Sequence, residues 1–189
     1  MSDKFKNQYR IPSTRLPCWD YSRNGYYFIT ICTQERRHYF GEIVDNKMNL
    51  SEIGKIVHKY WFEIPKHFSF VELDEFQIMP NHVHGILIIN NVVSYVEKRH
   101  CLFSTADTNI KINRFQNQGK HTISSIVGSY KSICTKMIHK TNATFGWQPG
   151  FYDNIIRTKK SFHYVQEYIK DNQTNWATDR NNLKNVLSI

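Results

Sequence analysis

This sequence predicts an α+β domain: an antiparallel sheet of the ferredoxin-like, split βαβ kind, with helices packed on one face. Three observations carry that prediction. The apolar pattern runs strand, helix, strand, strand, helix, strand, helix. Only the short segment Met79-Pro80-Asn81 separates two strand-like stretches, so these should pair as antiparallel neighbours. The intervening helical segments repeat apolar residues at i, i+3 and i+4.

In chain order, residues 1–23 are polar and basic and read as an arm. Tyr26 to Thr33 is rich in aromatic and β-branched residues and reads as the first strand. Residues 42–50 read as a turn or short hairpin. Ser51 can cap a helix carrying Ile53, Ile56, Val57, Tyr60 and Trp61, which Pro65 closes. Phe68–Met79 and His82–Ile89 are the paired strands. Residues 91–120 show no sustained period and read as a flexible insertion. Thr122 or Ser124 opens a helix through Ile126, Val127, Tyr130, Ile133, Cys134 and Met137. Residues 141–159 hold a turn and an extended piece, and a last helix runs from about Ser161 to Gln173. The whole divides into the arm, one domain over 24–176, and a polar tail over 177–189.

Composition narrows the partners. The chain has 189 residues, 40% of them hydrophobic, and a formal net charge of +9, which suits a polyanionic partner such as nucleic acid. The four cysteines form no CxxC pair, so no zinc knuckle or thioredoxin-like site is expected. The N-terminus lacks the apolar stretch of a signal peptide, and no run reaches the roughly 18 apolar residues of a membrane span. The expectation is a reduced, cytoplasmic, nucleoid-associated protein with no membrane partner.

Two stretches can carry chemistry. In a strand, residues i and i+2 share a face, so His82 and His84 present two imidazoles together while Val83 faces the core. Two neutral imidazoles make a divalent-metal site once one or two further ligands join. In the last helix Phe162, Val165 and Ile169 form the buried stripe, and Tyr164, Tyr168 and Asn172 form a neighbouring one. Tyr168 is a nucleophile if a metal-polarised phosphate lies against it, and one of 11 packing tyrosines otherwise. A zinc hydrolase is disfavoured, because no Glu or Asp lies at helical or strand spacing from the histidine pair.

The string Met79-Pro80-Asn81-His82-Val83-His84-Gly85-Ile86-Leu87 resembles the HUH motif of single-tyrosine transposases, and most closely the REP-associated tyrosine transposases. Further blocks agree in order: Trp19-Asp20-Tyr21, Tyr27 to Thr33 with Arg36-Arg37 and Phe40-Gly41, Ile126 to Ser132, Trp147 to Arg157, and Tyr168-Ile169 with Asn172 and Trp176. The resemblance implies that His82 and His84 bind Mg²⁺ or Mn²⁺. It implies that Tyr168 attacks DNA, leaving a 5′-phosphotyrosine and a free 3′-hydroxyl, and that Asn172 is the third ligand. Gln173 stands where the family usually has proline, so either amide can reach the metal; helical phase favours Asn172. Tyr130 and Tyr164 are the rival nucleophiles. Lys131, Arg157, Lys159 and Lys160 are the expected phosphate contacts, and Trp147 and Tyr152 the aromatics that stack on unpaired bases.

The resemblance thus implies an enzyme acting on single-stranded, hairpin-forming DNA, as a monomer or homodimer. A catalytically silent DNA-binding protein of the same fold and a replication-initiator or relaxase nuclease are the alternatives.

Overall fold

The computed structural model describes residues 19–91, 119 and 121–182, and the backbone of a small hairpin formed by β1 (Lys4–Phe5) and β2 (Gln8–Tyr9). The expected insertion at 91–120 therefore lies outside the described residues, save Asn91 and Gly119.

The main sheet has four strands in the order β6-β7-β3-β8, all neighbours antiparallel. β3 (Gly25–Cys32) and β7 (His82–Ile89) are central, with β6 (Val71–Met79) and β8 (Tyr152–Ile156) at the edges. Strands β3 and β6 run the same way with β7 between them, which is the split βαβ arrangement. A smaller hairpin, β4 (Gly41–Val44) and β5 (Lys47–Leu50), turns at Asp45 and Asn46. Both take positive φ, 50° and 60°, as a tight two-residue hairpin turn requires.

Period-two alternation sorts the central strands onto two faces. On one, Tyr27, Ile29 and Ile31 meet Val83, Leu87 and Ile89, all fully buried or nearly so. Helices α1 (Glu52–Trp61) and α3 (Ile123–Ile138) close this face with Val57, Trp61, Ile126, Val127, Tyr130 and Cys134. Ser51 accepts from Gly54 N at 3.1 Å to cap α1, and Thr122 accepts from Ser125 N to cap α3. Gly85 lets the Trp61 indole lie directly on β7, where it also stacks on Phe76 with centroids 4.5 Å apart.

Several expectations need correction. Helices cover both faces of the sheet. The last helix, α4 (Lys159–Lys170), packs Phe162, Val165 and Ile169 onto Phe28, Ile86 and Ile156 on the face opposite α1 and α3. Its apolar stripe needs a partner, and the second face of β3 and β7 is apolar enough to supply one. Pro65 does not simply end a helix; it sits in the first turn of a short α2 (Ile64–His67), where its missing N–H costs nothing. The strand expected from Phe68 begins at Val71. The last helix starts at Lys159, fixed by a capping box between Thr158 and Ser161, and stops at Lys170, three residues short of Gln173. Among the described residues no helix is long and apolar enough to cross a membrane.

A candidate metal and nucleophile site

The second face of β7 carries His82 and His84, beside Cys32 and Thr30 of β3 in register. Both imidazoles are fully buried. Their Nε2 atoms lie 3.0 Å apart. Each ring is held through its other nitrogen: His82 Nδ1 lies 2.8 Å from Asn81 Oδ1, and His84 Nδ1 lies 2.8 Å from Thr30 Oγ1.

The Asn81 amide identifies the first tautomer. Its Nδ2 donates to the carbonyls of Arg36 (3.0 Å) and Asn181 (2.8 Å), so its oxygen must face His82. His82 therefore donates from Nδ1 and keeps a lone pair on Nε2. Without a cation, a proton on His84 Nε2 satisfies the pair, with the Thr30 hydroxyl donating to His84 Nδ1. To replace that proton with a cation, Thr30 need only rotate and accept. Burial, the largest cause, pushes both imidazole pKa values down: His82 well below 6.5 and His84 to about 3. The neighbouring imidazole and arginines add to this at His82, and Arg180 does so at His84. Both rings are neutral, ligand-competent bases at neutral pH.

Asp179 supplies a carboxylate. One ligand atom each from His82, His84 and Asp179 lie within 4.8 Å of one another, and Asp179 Oδ2 is 4.0 Å from His82 Nε2. Spacing along the sequence could not reveal this, because the carboxylate comes from beyond α4. No Glu or Asp stands at strand or helical spacing from the histidines, yet the fold brings one carboxylate beside them. The segment read as part of a polar tail from 177 is packed over its described portion: Asp179, Asn181 and Asn182 are all less than 9% exposed. Trp176 lies against both His38 and His82, with centroids 5.7 and 6.0 Å away.

Tyr168 approaches from α4. Its ring meets His84 edge-on with centroids 5.4 Å apart, and Phe28 at 5.9 Å. Burial raises the phenol pKa and the Asp179 charge adds to the rise, while Arg180 and Asn172 oppose it. Asn172 lies beyond the end of the helix, yet it is buried, and its amide nitrogen has no hydrogen-bond partner. Gln173 points elsewhere: its Oε1 accepts from Met48 N at 2.9 Å, tying the chain to the β4–β5 hairpin. Of the two amides left open by the sequence, Asn172 is the one beside the phenol.

The donor set fits a divalent cation. In octahedral coordination at about 2.1 Å, adjacent ligand atoms lie about 3.0 Å apart, which is the Nε2–Nε2 separation here. The oxygens of Asn81 and Thr30 that fix both rings complete the fit.

Comparison with known proteins agrees with this architecture. An uncharacterised protein of Haemophilus influenzae (strain ATCC 51907 / DSM 11121 / KW20 / Rd) is 36% identical over 170 residues, covering 89% of this chain and 91% of its own. The chain belongs to the family of that protein. Its fold is that of a REP-associated tyrosine transposase: the structure of one bound to a REP hairpin superposes with a TM-score of 0.57, at 17% identity, over 88% of this chain and 74% of the other. A candidate transposase from Deinococcus radiodurans R1 aligns over 84% of this chain and 97% of its own, with a TM-score of 0.45 at 13% identity. No family model matches the sequence.

Within this transposase fold the other expected site residues separate into two groups. Tyr130 is buried and donates to the Val57 carbonyl at 3.0 Å on the α1–α3 face, away from the histidines. Trp147 packs against Phe40, Phe145 and Tyr130, so it builds the core rather than an open stacking platform. Lys131 donates to the carbonyls of Gln148 and Gly150 and braces the turn before β8. In contrast, Tyr152, Arg157, Lys159, Lys160 and Tyr164 are exposed. Tyr152 carries the Arg180 guanidinium over its ring at 5.5 Å, and Arg157 lies 5.5 Å from the Trp19 ring.

Sequence reasoning missed Thr30, Asn81, Asp179 and Arg180. Asn81 precedes the histidine pair directly and read only as a turn residue; the others carry no local signal.

Proposed function

We propose that this chain is a metal-dependent, single-strand DNA endonuclease of the transposase type, which recognises hairpin DNA and cleaves and rejoins it through a covalent tyrosine link. One observation carries the reading: a half-buried tyrosine stands edge-on to a buried imidazole whose Nε2 faces a second one at 3.0 Å. His82, His84, Asp179 and Asn172 are the residues that would hold Mg²⁺ or Mn²⁺. When bound, such a cation supplies Lewis-acid polarisation of the scissile phosphate.

The chain's own groups do the rest. The Tyr168 phenol loses its proton and its oxygen bonds to phosphorus; the bond from phosphorus to the 3′-oxygen breaks, and that oxygen gains a proton. The products are a 5′-phosphotyrosine and a free 3′-hydroxyl, and the reverse displacement rejoins a strand without outside energy. Burial raises the phenol pKa and so favours its protonated form, a cost that a cation held by these residues would offset. The solved REP hairpin complex of a protein with this fold supports hairpin DNA as the substrate class. The exposed Arg157, Lys159, Lys160 and Tyr152 suit contacts to its backbone and unpaired bases.

The test is a denaturation-resistant protein–DNA adduct on labelled hairpin-bearing single-stranded DNA, with Mn²⁺ or EDTA, for wild type and Tyr168→Phe. The expected adduct requires Mn²⁺ and disappears in the variant. An adduct that survives moves the nucleophile to the exposed Tyr164. Tight hairpin binding with no adduct favours a catalytically silent DNA-binding protein.

A further inference from the structure

Beyond α4 the chain returns across the site, and this return places an arginine there that the reaction as described does not use. Arg180 follows Asp179 of the histidine–carboxylate cluster. Its backbone is clamped: the carbonyl of Arg180 accepts from Arg36 Nη1 at 2.8 Å, and the carbonyl of the next residue, Asn181, accepts from Asn81 Nδ2. The flanking residues pin it further, since Asn181 N donates to Asp179 Oδ1 and Asn182 Nδ2 donates to the Trp176 carbonyl at 3.0 Å. The side chain is exposed and rests over the Tyr152 ring, a soft contact that leaves its planar donor fork at the surface of the site.

Two arginines have charges that reach this region, and they differ. Arg36 acts on His82, Asp179 and Cys32, and one arm of its guanidinium is spent on the Arg180 carbonyl. Arg180 acts on the same three groups and also on His84 and Tyr168, and its guanidinium lies over Tyr152, the strand partner of the Thr30 that holds His84. Two buried amide nitrogens nearby in the chain, on Asn172 and Asn181, also lack hydrogen-bond partners. The surroundings are therefore rich in donors and cations, as an anion site requires.

We propose that Arg180 is a further catalytic residue, whose guanidinium holds the scissile phosphate against the His82–His84 pair while Tyr168 attacks. The planar fork of an arginine matches two non-bridging phosphate oxygens, and it stabilises the charge that builds on them as the phosphotyrosine bond forms. This inference rests on the transesterification reading for its catalytic part, but the phosphate site itself does not.

The experiment has two arms on the full chain. In the first, inorganic phosphate is added to the Mn²⁺-loaded protein and ³¹P relaxation is measured for wild type, Arg180→Lys and Arg180→Gln. Wild type should strongly enhance relaxation, Arg180→Gln should lose the enhancement with Mn²⁺ affinity equal to or above that of wild type, and Arg180→Lys should fall between. In the second, single-turnover adduct formation should drop about 100-fold in Arg180→Gln, with hairpin affinity changed far less and partial recovery in Arg180→Lys. Because the backbone of Arg180 holds the segment, the side-chain variants should keep the wild-type unfolding midpoint. Equal relaxation in wild type and Arg180→Gln overturns the phosphate site. Arg180-dependent relaxation without any adduct in wild type upholds the site and sinks the transesterification reading alone. A normal adduct rate in Arg180→Gln overturns the catalytic role.

Discussion

Asn81 and His82, consecutive in the chain, are joined side chain to side chain by a 2.8 Å hydrogen bond from His82 Nδ1 to Asn81 Oδ1. The same amide donates to the carbonyls of Arg36 and Asn181. One side chain thus sets the tautomer of an imidazole of the candidate metal site and anchors the segment that brings Asp179 to it. The Asn81→Ala variant should lose both. Metal affinity should fall about 10–100-fold, the usual effect of removing a group that orients a ligand. Calorimetric titration with Mn²⁺ decides it; unchanged affinity would show that the strand alone orients His82.

Metal binding should also show as stability. An ion that binds only the folded chain stabilises it by about 2.7 kcal/mol at 100 times its Kd. Mn²⁺ should raise the unfolding temperature of wild type, and EDTA should cancel the rise. His84→Gln should abolish the shift. Comparing Asp179→Asn with Asn172→Ala ranks the two remaining proposed ligands, and a full shift retained in both would place the ion outside this cluster.

Tyr130→Phe separates the buried rival from Tyr168, the proposed nucleophile. It removes a hydroxyl that donates to the Val57 carbonyl at 3.0 Å, at a cost of about 1 kcal/mol, since that carbonyl keeps its place in the α1 ladder. Urea unfolding should register that loss while adduct formation persists. A stable Tyr130→Phe protein that forms no adduct would contradict the placement of chemistry on the α4 face.

Gly85→Ala should disturb the site from behind. A Cβ at Gly85 collides with the Trp61 indole, which is fully buried and stacked on Phe76. Overpacking of this kind costs about 1–3 kcal/mol, and β7 must shift with His84 next to the substitution. Chemical denaturation should show the loss, and pairing the change with Trp61→Phe should recover part of it.

Alkaline pH should weaken the fold through the α3 core. Burial holds the Cys134 thiol up to about 12 and the Tyr130 phenol well above 10. Both groups ionise earlier in the unfolded chain, so above about pH 9 the unfolded state binds fewer protons and stability falls as pH rises. The contribution is present below the unfolded pKa and lost towards the folded one. Unfolding midpoints between pH 8 and 11 test this, and Cys134→Ala should flatten the slope.

The sequence by itself determined the sheet and the paired imidazoles. Strand alternation puts His82 and His84 on one face whatever the fold around them, and the β-rich, helix-rich order leaves few architectures. Helical phase likewise placed Asn172 beside Tyr168, although the helix itself ends at Lys170. Only the tertiary structure decided what stands opposite. Whether α4 shares a face with α1 and α3 depends on packing across the sheet, which no periodicity along the chain reports. Arg180 and the Asp179 carboxylate come from an irregular polar segment with no repeat to read, and the Asn81 side chain that holds that segment sits in a two-residue turn. Their positions follow from hydrogen bonds to distant backbone carbonyls, and such bonds exist only once the chain has folded.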